Sequence, residues 1–326
     1  MNSLCRMTKW LCTYTVACSS LSWVNMALAQ SYPAKPVRII VATGGGSNDD
    51  TIIRLIAPKL SESLGQQFFS ENRPGAAGMI GQTLAASAPP DGYTLLYAGG
   101  SMAGSHFVNA NFRLDVLRDF TPVSLLSTGK YFLIVHPSVQ ARNLKEYIAL
   151  ARSNPGKMTY VTTGAGQTPY WDAVLFNSMA GIKAAEVPYK VSSEGLVDVI
   201  AGRVDYYFVA SAAAVANKKR LRVLAVTTAT RSTVFPDVPT IAEAALPGYD
   251  MPSWGSLVGP GGMRPDIVNT LNAAVTRALG APDVRDRILA MGNEPAPSSP
   301  DEIAQRFTDW TERYGRIAML AGIKPQ

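Results

Sequence analysis

Short apolar runs rich in β-branched residues alternate along the chain with segments whose apolar residues recur at helical spacing. Val37–Val41 predicts a strand, and residues 51–64 place Ile and Leu side chains on one face of a helix. Pro58 lies inside that helical pattern and predicts a kink or an early stop. Further strands are predicted at 93–98, Tyr131–Val135, 159–162, 204–209, 221–227 and 256–259.

Polar caps mark the beginnings of three further helices. Asn143 is followed by Glu146 at capping distance, and Ser192 or Ser193 begins a helix that Gly202 closes. Residues 299–302 read Ser-Pro-Asp-Glu, a capping box with Pro at the first helical position. Strands that alternate with helices in this way predict an α/β fold, with parallel sheets covered by helices on both faces. The last helix is expected to bury one face made of Ile303, Phe307, Trp310, Tyr314 and Ile317.

The first 29 residues have the pattern of a signal peptide. Arg6 and Lys9 form a basic start, residues 10–29 carry no charge, and the segment ends in Ala27-Leu28-Ala29. Cleavage after Ala29 is therefore predicted, and the mature protein is expected to be exported. The alternative is a membrane anchor, which the Ser, Thr and Asn content of the segment and the missing stop-transfer pattern disfavour.

Composition narrows the chemistry that remains after cleavage. All three cysteines, Cys5, Cys12 and Cys18, lie in the predicted signal, so the 297 residues after it contain none. A disulfide framework and a thiolate site are thereby excluded. The mature chain has only two histidines, so we expect no metal and no cofactor. With 47% hydrophobic and 17% charged residues, the chain also has the composition of a folded protein rather than a disordered one.

Net charge does not single out a partner. The formal charge of +6 falls to +4 when Arg6 and Lys9, the only charged residues of the predicted signal, are removed. The basic run at 218–222 is short and leads into a predicted strand, which is typical of a solvated helix end. Nucleic-acid binding requires a broader basic face interleaved with aromatic residues, so none is expected.

The length after cleavage predicts two domains. A strand-like run at 121–125 leads out of the first domain, and four prolines within residues 236–252 mark an irregular return. We therefore divide the chain into domain 1, residues 30–127 plus 250–326, and domain 2, residues 128–249. The two crossings form a hinge, and a cleft between domains is a common place for a small ligand.

A glycine-rich loop between the first strand and the first helix is the first candidate site. Its glycines allow close approach of the backbone to a ligand, and the helix N-terminus that follows favours an anion. The alternative is a tight turn with Asn48 or Asp50 as the helix cap. Asp49 and Asp50 oppose an anion; they either offset the helix dipole or accept hydrogen bonds from a ligand hydroxyl, amine or amide. The candidate residues are Thr43, Gly44, Gly45, Gly46, Ser47, Asn48 and Asp50.

A second loop of the same kind follows the strand predicted at 159–162. Its hydroxyls and glycine amides form another anion cradle, with the next helix beginning near Pro169. The two loops fall in different predicted domains, so a small acid could be held between two helix N-termini. The candidates here are Thr163, Gly164, Ala165, Gly166, Gln167 and Thr168.

Ser101 offers a different chemistry. It follows a predicted strand in Gly99-Gly100-Ser101-Met102-Ala103, close to the Gly-x-Ser-x-Gly pattern of hydrolase nucleophiles except that Ala replaces the last Gly. The only histidines beyond it are His106, which is too near in sequence, and His136 at a strand end. Ser101 is therefore expected to line the cleft, and an exported hydrolase using Ser101 is kept as the alternative.

Seven sequence blocks in the right order resemble one family. The chain is similar to the periplasmic solute receptors of tripartite tricarboxylate transporters, also called Bug receptors. The resemblance extends over nearly the whole mature chain. The blocks are YPAKP at 32–36, ENRPGAAG at 71–78, PDGYTL at 90–95, VPYK at 187–190, FPDVPT at 235–240, LPGY at 246–249 and AGIK at 321–324.

The resemblance implies a type II periplasmic-binding-protein-like fold whose two α/β domains close on a small organic acid. It implies capture without catalysis, delivery of the ligand to the membrane subunits of a transporter, and a receptor that we expect to be monomeric. A receptor that signals to a membrane sensor is the remaining alternative. Position by position, the resemblance places the two loops above in the site and adds Ser101, Tyr170 and Asp205 as cleft residues.

The chain departs from the family pattern at several cleft positions. Ala42-Thr43 stand where the family has Pro-Phe, so an aromatic wall of the pocket is lost. Tyr170 and Trp171 stand where His and an aliphatic residue are common, and Val191 replaces a common Gly. The identity of the ligand is therefore not inherited, and a larger or aromatic ligand stacked on Trp171 or Tyr170 is one hypothesis.

Overall fold

The computed structural model describes residues 32–325. The predicted signal peptide and its cleavage site lie outside these residues, and the elements below all lie between residues 35 and 325. The strands are β1 (Val37–Val41), β2 (Phe68–Asn72), β3 (Thr94–Gly99), β4 (Phe120–Gly129), β5 (Tyr131–Val135), β6 (Met158–Thr162), β7 (Ala184–Pro188), β8 (Tyr206–Ala210), β9 (Arg222–Val226), β10 (Ser253–Pro260) and β11 (Glu294–Pro295).

Helices connect most of these strands. Two 3-10 segments, Ala76–Gly78 and Gly100–Phe107, precede α2 and follow β3 respectively. The α-helices are α1 (Asn48–Leu64), α2 (Met79–Ala86), α3 (Leu144–Ser153), α4 (Thr168–Ala180), α5 (Ser192–Ile200), α6 (Ser211–Asn217), α7 (Ile241–Ala244), α8 (Pro265–Gly280), α9 (Pro282–Ala290) and α10 (Pro300–Leu320).

The strands form two sheets. The first sheet has the order β11-β4-β10-β3-β1-β2, with β1 parallel to both β2 and β3 and β10 antiparallel to β3 and β4. The second has the order β7-β6-β8-β5-β9, with β6 parallel to β7 and β8 and β5 antiparallel to β8 and β9. The expected α/β class is confirmed, but the prediction of parallel sheets is only partly right, because β10 and β5 run antiparallel to their neighbours.

The chain passes between the sheets where the sequence indicated a crossing. Strand β4 of the first sheet ends at Gly129, and β5 of the second sheet begins at Tyr131. The return lies between β9 and β10, where the Met251 amide donates a hydrogen bond to the Thr227 carbonyl at 2.7 Å. Strand β4 runs two residues beyond the predicted limit at 127; the domain limits themselves stay a prediction.

Most strands predicted from the apolar runs are present, two of them, β1 and β5, with the predicted bounds. Strands β2, β7 and β11 were not predicted. They lie at sheet edges, and their residues are mostly half-buried or exposed. An edge strand is held by hydrogen bonds to one neighbour and needs little apolar surface, so its sequence carries a weak signal.

The prediction of an early stop at Pro58 is wrong. Helix α1 continues to Leu64 with Pro58 inside it, and Gly65 ends it in the left-handed conformation at φ +69°. Pro58 is exposed, so the Arg54 carbonyl that loses its helical partner lies on the side that water reaches. The buried apolar face supplied by Ile52, Ile53, Ile56 and Leu60 outweighs the missing bond.

An aromatic core joins helices that pack on the two sheets. Trp171 of α4 is fully buried and stacks at 4.7 Å between ring centroids on Tyr314 of α10. Gly104 makes room for both rings, because a Cβ there would lie 2.8 Å from each of them. The hypothesis that Trp171 stacks on a ligand is therefore wrong: its ring belongs to the core. No helix within residues 32–325 has the length and apolar character needed to cross a membrane.

Candidate ligand-binding site

The first loop is organised around Ser47. Its hydroxyl accepts from the Asp50 amide at 3.2 Å and lies 2.8 Å from the Thr43 hydroxyl. Ser47 is therefore the N-cap of α1, and the alternative that assigned the cap to Asn48 or Asp50 is wrong. The Ser47 backbone adopts extended geometry with ψ 165°, as an N-cap requires, whereas Asn48 already belongs to the helix.

The Asp50 carboxylate holds the loop in place. It is 1% exposed and accepts hydrogen bonds from the Gly46 amide at 2.9 Å, Arg54 Nε at 2.8 Å and the Ser70 hydroxyl at 3.2 Å. Burial alone would raise the pKa of Asp50, but the bonds from Arg54 and Gly46 keep it below its ordinary value. Asp50 and the Gly46 amide are thus engaged within the loop and do not face a ligand.

Asn48 also has a structural partner. Its Oδ1 accepts from Asn293 Nδ2 at 2.7 Å, and Asn293 is buried beside Gly129 at the end of β4. The amide of Asn48 therefore connects the first loop to the crossing between the sheets. The backbone amides of Gly44 and Gly45 remain without a donor bond to the described residues.

Asp49 differs from its neighbour Asp50. It is half-buried, and its carboxylate accepts hydrogen bonds from the hydroxyls of Thr43, at 3.4 Å, and Tyr97. Burial raises the pKa of Asp49 to about 6, although these hydrogen bonds oppose the rise. Tyr97 is a buried β3 residue that the sequence analysis did not select, because its position in an apolar strand resembles that of any core tyrosine.

Tyr131 lies between the two loops and was also missed. It is the first residue of β5, directly after the crossing from the first sheet, and its side chain lies near that of Thr168 at the start of α4. Burial, followed by the charge of Asp49, raises the pKa of Tyr131 well above its ordinary value. The Tyr131 phenol is therefore close both to Asp49 of the first loop and to Thr168 of the second. The sequence feature that could have identified Tyr131 is its position at the predicted crossing between the domains.

The second loop requires glycine at two positions. Gly164 and Gly166 have φ of +109° and +92°, in the region that side chains avoid. A Cβ on Gly164 would lie 3.1 Å from the Ala77 Cβ, and one on Gly166 would lie 2.9 Å from Val108 Cγ2. The amides of Ala165 and Gly166 make no hydrogen bond to the described residues. These N–H groups and the first turn of α4 form an anion cradle.

Each loop contacts a residue that the chain places with the other sheet. Gln167 Nε2 donates to the Ala77 carbonyl of the 3-10 segment before α2. Val191 approaches the first loop so closely that a Cβ on Gly44 would lie 2.7 Å from its Cγ1. These contacts bring most predicted residues of the two loops to the same region of the molecule: Thr43, Gly44, Gly45, Gly46, Ser47, Thr163, Gly164, Ala165, Gly166, Gln167 and Thr168.

Ser101 and Tyr170 are both buried. Ser101 is buried in the 3-10 segment after β3, and the His136 ring is bonded to the Ser138 hydroxyl at 2.7 Å instead. The described residues therefore hold no Ser101–histidine hydrogen bond. Tyr170 packs edge-on against Trp171, and burial raises its pKa to about 12.

Asp205 is not brought to the site. Its carboxylate accepts from the Thr159 amide at 2.8 Å and the Thr159 hydroxyl at 2.9 Å, at the start of β6. The second loop follows the other end of β6, and β8, which Asp205 precedes, runs parallel to it. Asp205 therefore lies at the amino-terminal edge of these strands and joins β6 to β8 there. The expectation that it lines the cleft is corrected.

Known proteins are similar to this chain in sequence and fold. The sequence profile described as "Tripartite tricarboxylate transporter family receptor" matches residues 52–323. The protein BugT of Bordetella pertussis is 30% identical over 322 residues, which cover 98% of this chain and 99% of that protein.

Two solved structures are similar in both sequence and fold. Rpa4515 of R. palustris, solved with adipate, has a TM-score of 0.86 and 32% identity; the match covers 90% of this chain and 100% of the Rpa4515 chain. MatC (Rpa3494) of Rhodopseudomonas palustris, with bound malate, has a TM-score of 0.83 and 30% identity and covers 88% of this chain and 99% of its own. The chain therefore belongs to the tripartite tricarboxylate transporter receptors, the family of solute-binding proteins that includes the Bug receptors.

Proposed function

We propose that this protein is an exported receptor that captures a small organic acid between its two sheets and delivers it to the membrane subunits of a tripartite transporter. The observation that carries the proposal is a pair of glycine-rich loops with free amides, whose residues Asp49 and Thr168 both neighbour Tyr131. Membership of a receptor family and the adipate and malate complexes of two relatives support capture rather than turnover.

The ligand carboxylate is expected to lie on the second loop. The unpaired amides of Ala165 and Gly166 point to hydrogen bonds with an anion, and the N-terminus of α4 adds a favourable dipole. Hydrogen bonds to a charged group contribute about 1.5–3 kcal/mol each, so four or five suffice for micromolar binding, which requires roughly 8 kcal/mol. No arginine clamp is needed.

Capture and release follow from the hinge. Domain 1, residues 30–127 plus 250–326, and domain 2, residues 128–249, rotate about the crossings near Lys130 and Met251. Closure brings the loops together around the ligand. We further propose cleavage after Ala29, a monomeric receptor and a transporter as the partner; a receptor that reports to a membrane sensor is the alternative.

Isothermal titration calorimetry tests this function. The chain from Gln30 onward is titrated with mono-, di- and tricarboxylates, amino acids and aromatic acids. At least one of these acids is expected to bind more tightly than millimolar. Failure of every acid on the panel would overturn the carboxylate reading. The genes beside this one distinguish the partners: transporter membrane subunits support delivery, and a sensor gene in their place supports signalling.

A further inference from the structure

The two adjacent acids of the first loop have different roles. Asp50 is held by the Arg54 cation and by two further donors, and its charge is compensated inside the loop. Asp49 accepts only from neutral donors, chiefly the Thr43 and Tyr97 hydroxyls. Among the described residues no Lys or Arg forms an ion pair with Asp49. Its charge is therefore left for a group that the protein does not supply.

The surroundings of Asp49 lack positive charge. Tyr131 lies between Asp49 and Thr168, and the charge of a second acid, Asp172, also acts on its phenol. Asp172, on α4 one turn after Thr168, is fully buried in the core near Arg313. The groups beside Asp49 are therefore hydroxyls rather than cations.

The second loop favours negative charge. The free amides of Ala165 and Gly166 and the N-terminus of α4 attract an anion. The loop carries no acid of its own, and the exposed Glu186 carboxylate accepts from the Thr162 hydroxyl just before it. A ligand that reaches both loops meets hydrogen-bond donors on the second loop and an unpaired carboxylate on the first. Two carboxylates on the ligand would place like charges against Asp49, which is unfavourable in a half-buried site.

We propose that the ligand of this receptor is a carboxylic acid that also carries an ammonium group, with the carboxylate on the second loop and the ammonium against Asp49. The inference rests on the proposed function and names its substrate class. Asp49 is then the residue that determines specificity, because it attracts an ammonium group at the position where a dicarboxylate would place a second, repelled carboxylate.

Matched ligand pairs test the inference in calorimetry. Each pair keeps the methylene chain and exchanges one carboxylate for an ammonium: succinate with 3-aminopropanoate, glutarate with 4-aminobutanoate, and adipate with 5-aminopentanoate. The amino acid of the best-fitting pair is expected to bind the unaltered protein about tenfold more tightly than its diacid. This comparison needs no variant and is unaffected by folding defects.

The isosteric variant Asp49→Asn completes the test. It keeps an oxygen acceptor for Thr43 and Tyr97 and removes the charge, so the preference is expected to fall by about tenfold or to reverse. Asp301→Asn is the matched control, because Asp301 is an exposed first-turn acid of α10, away from both loops, and its preference should equal that of the unaltered protein. Circular dichroism and a melting curve verify that both variants fold.

The outcomes separate the two claims. If no acid of any kind binds, the proposed function fails and the inference fails with it. If acids bind but the diacid of each pair is preferred, or if Asp49→Asn leaves the preference unchanged, the receptor function stands and the ammonium inference is overturned.

Discussion

At the scale of the residue, three aspartates of this protein have three different environments. Asp50 forms an ion pair with Arg54, and Asp49 accepts hydrogen bonds only from neutral donors. Asp172 is buried, and its carboxyl has no hydrogen-bond partner among the described residues. Burial raises the pKa of Asp172 well above the usual value of an aspartate, with only a partial opposing effect from Arg313. Chain position gave no indication of these differences, because each depends on which groups the fold places around the carboxyl.

Asp172 should make the stability of the protein depend on pH. Because its pKa is higher in the folded than in the unfolded state, its contribution to the free energy of unfolding falls as pH rises above the unfolded value. Asp172→Asn resembles the protonated acid and removes that dependence. We expect the variant to be about 1–3 kcal/mol more stable than the unaltered protein at pH 8 and nearly equal to it at pH 4.

Urea unfolding at pH 4, 6 and 8 measures this difference. Asp301→Asn serves as the control, because Asp301 is exposed. A stability gain of the same size at all three pH values would show that the carboxyl of Asp172 does not titrate as its burial requires.

At the scale of the element, the beginnings of helices were the best-predicted feature. The capping boxes and caps at Asn143 and Ser299 are present with the expected bonds, since a cap is a contact between residues three apart in sequence. The cap of α1 was assigned to the wrong residue, because Ser47, Asn48 and Asp50 are all good caps and only backbone geometry selects Ser47. The glycines of the two loops were predicted, but the side chains that pack against them, such as Val191 on Gly44, were not.

Gly164→Ala is expected to weaken ligand binding by about tenfold. The substitution forces an alanine to adopt φ +109° and pushes its Cβ against Ala77, so the amides of the second loop shift out of place. Calorimetry with the acid selected by the panel measures the loss.

Gly156→Ala is the matched control for strain. Gly156 also has a positive φ, +78°, but a Cβ there meets nothing within 4 Å. It should lower the melting temperature and leave affinity unchanged. Equal affinities for the two variants would mean that the second loop does not hold the ligand.

At the scale of the whole molecule, contacts across the site occur between protein groups themselves. Gln167 donates to the Ala77 carbonyl, and Val191 packs on Gly44. Ala77 holds a left-handed φ of +52°, which a residue with a side chain adopts only at a cost. Such contacts favour the closed arrangement before any ligand contributes.

Gln167→Ala should shift the ligand-free protein toward an open arrangement. Loss of the bond to Ala77 removes a contact between the second loop and the 3-10 segment before α2, so the closed population is expected to fall. Small-angle scattering should give a larger radius of gyration for the ligand-free variant than for the unaltered protein, and saturating ligand should abolish the difference.

Gln140→Ala is its control, because Gln140 Nε2 donates to the carbonyl of Ser138 two residues away. It should leave the scattering curve unchanged. An unchanged radius for Gln167→Ala as well would show that the ligand alone drives closure.

The sequence by itself determined the α/β class, most central strands, the helix caps at Asn143 and Ser299 and both glycine-rich loops. These features arise from periodicity and from contacts between residues close in the chain, which the order of residues records directly. Only the tertiary structure decided that Tyr97 and Tyr131 lie beside the candidate site and that Trp171 and Asp205 lie elsewhere. It also decided that the charge of Asp49, and not that of Asp50, has no cationic partner. Each of those outcomes depends on partners far away in sequence, and burial and charge compensation are properties of such neighbours rather than of the residue itself.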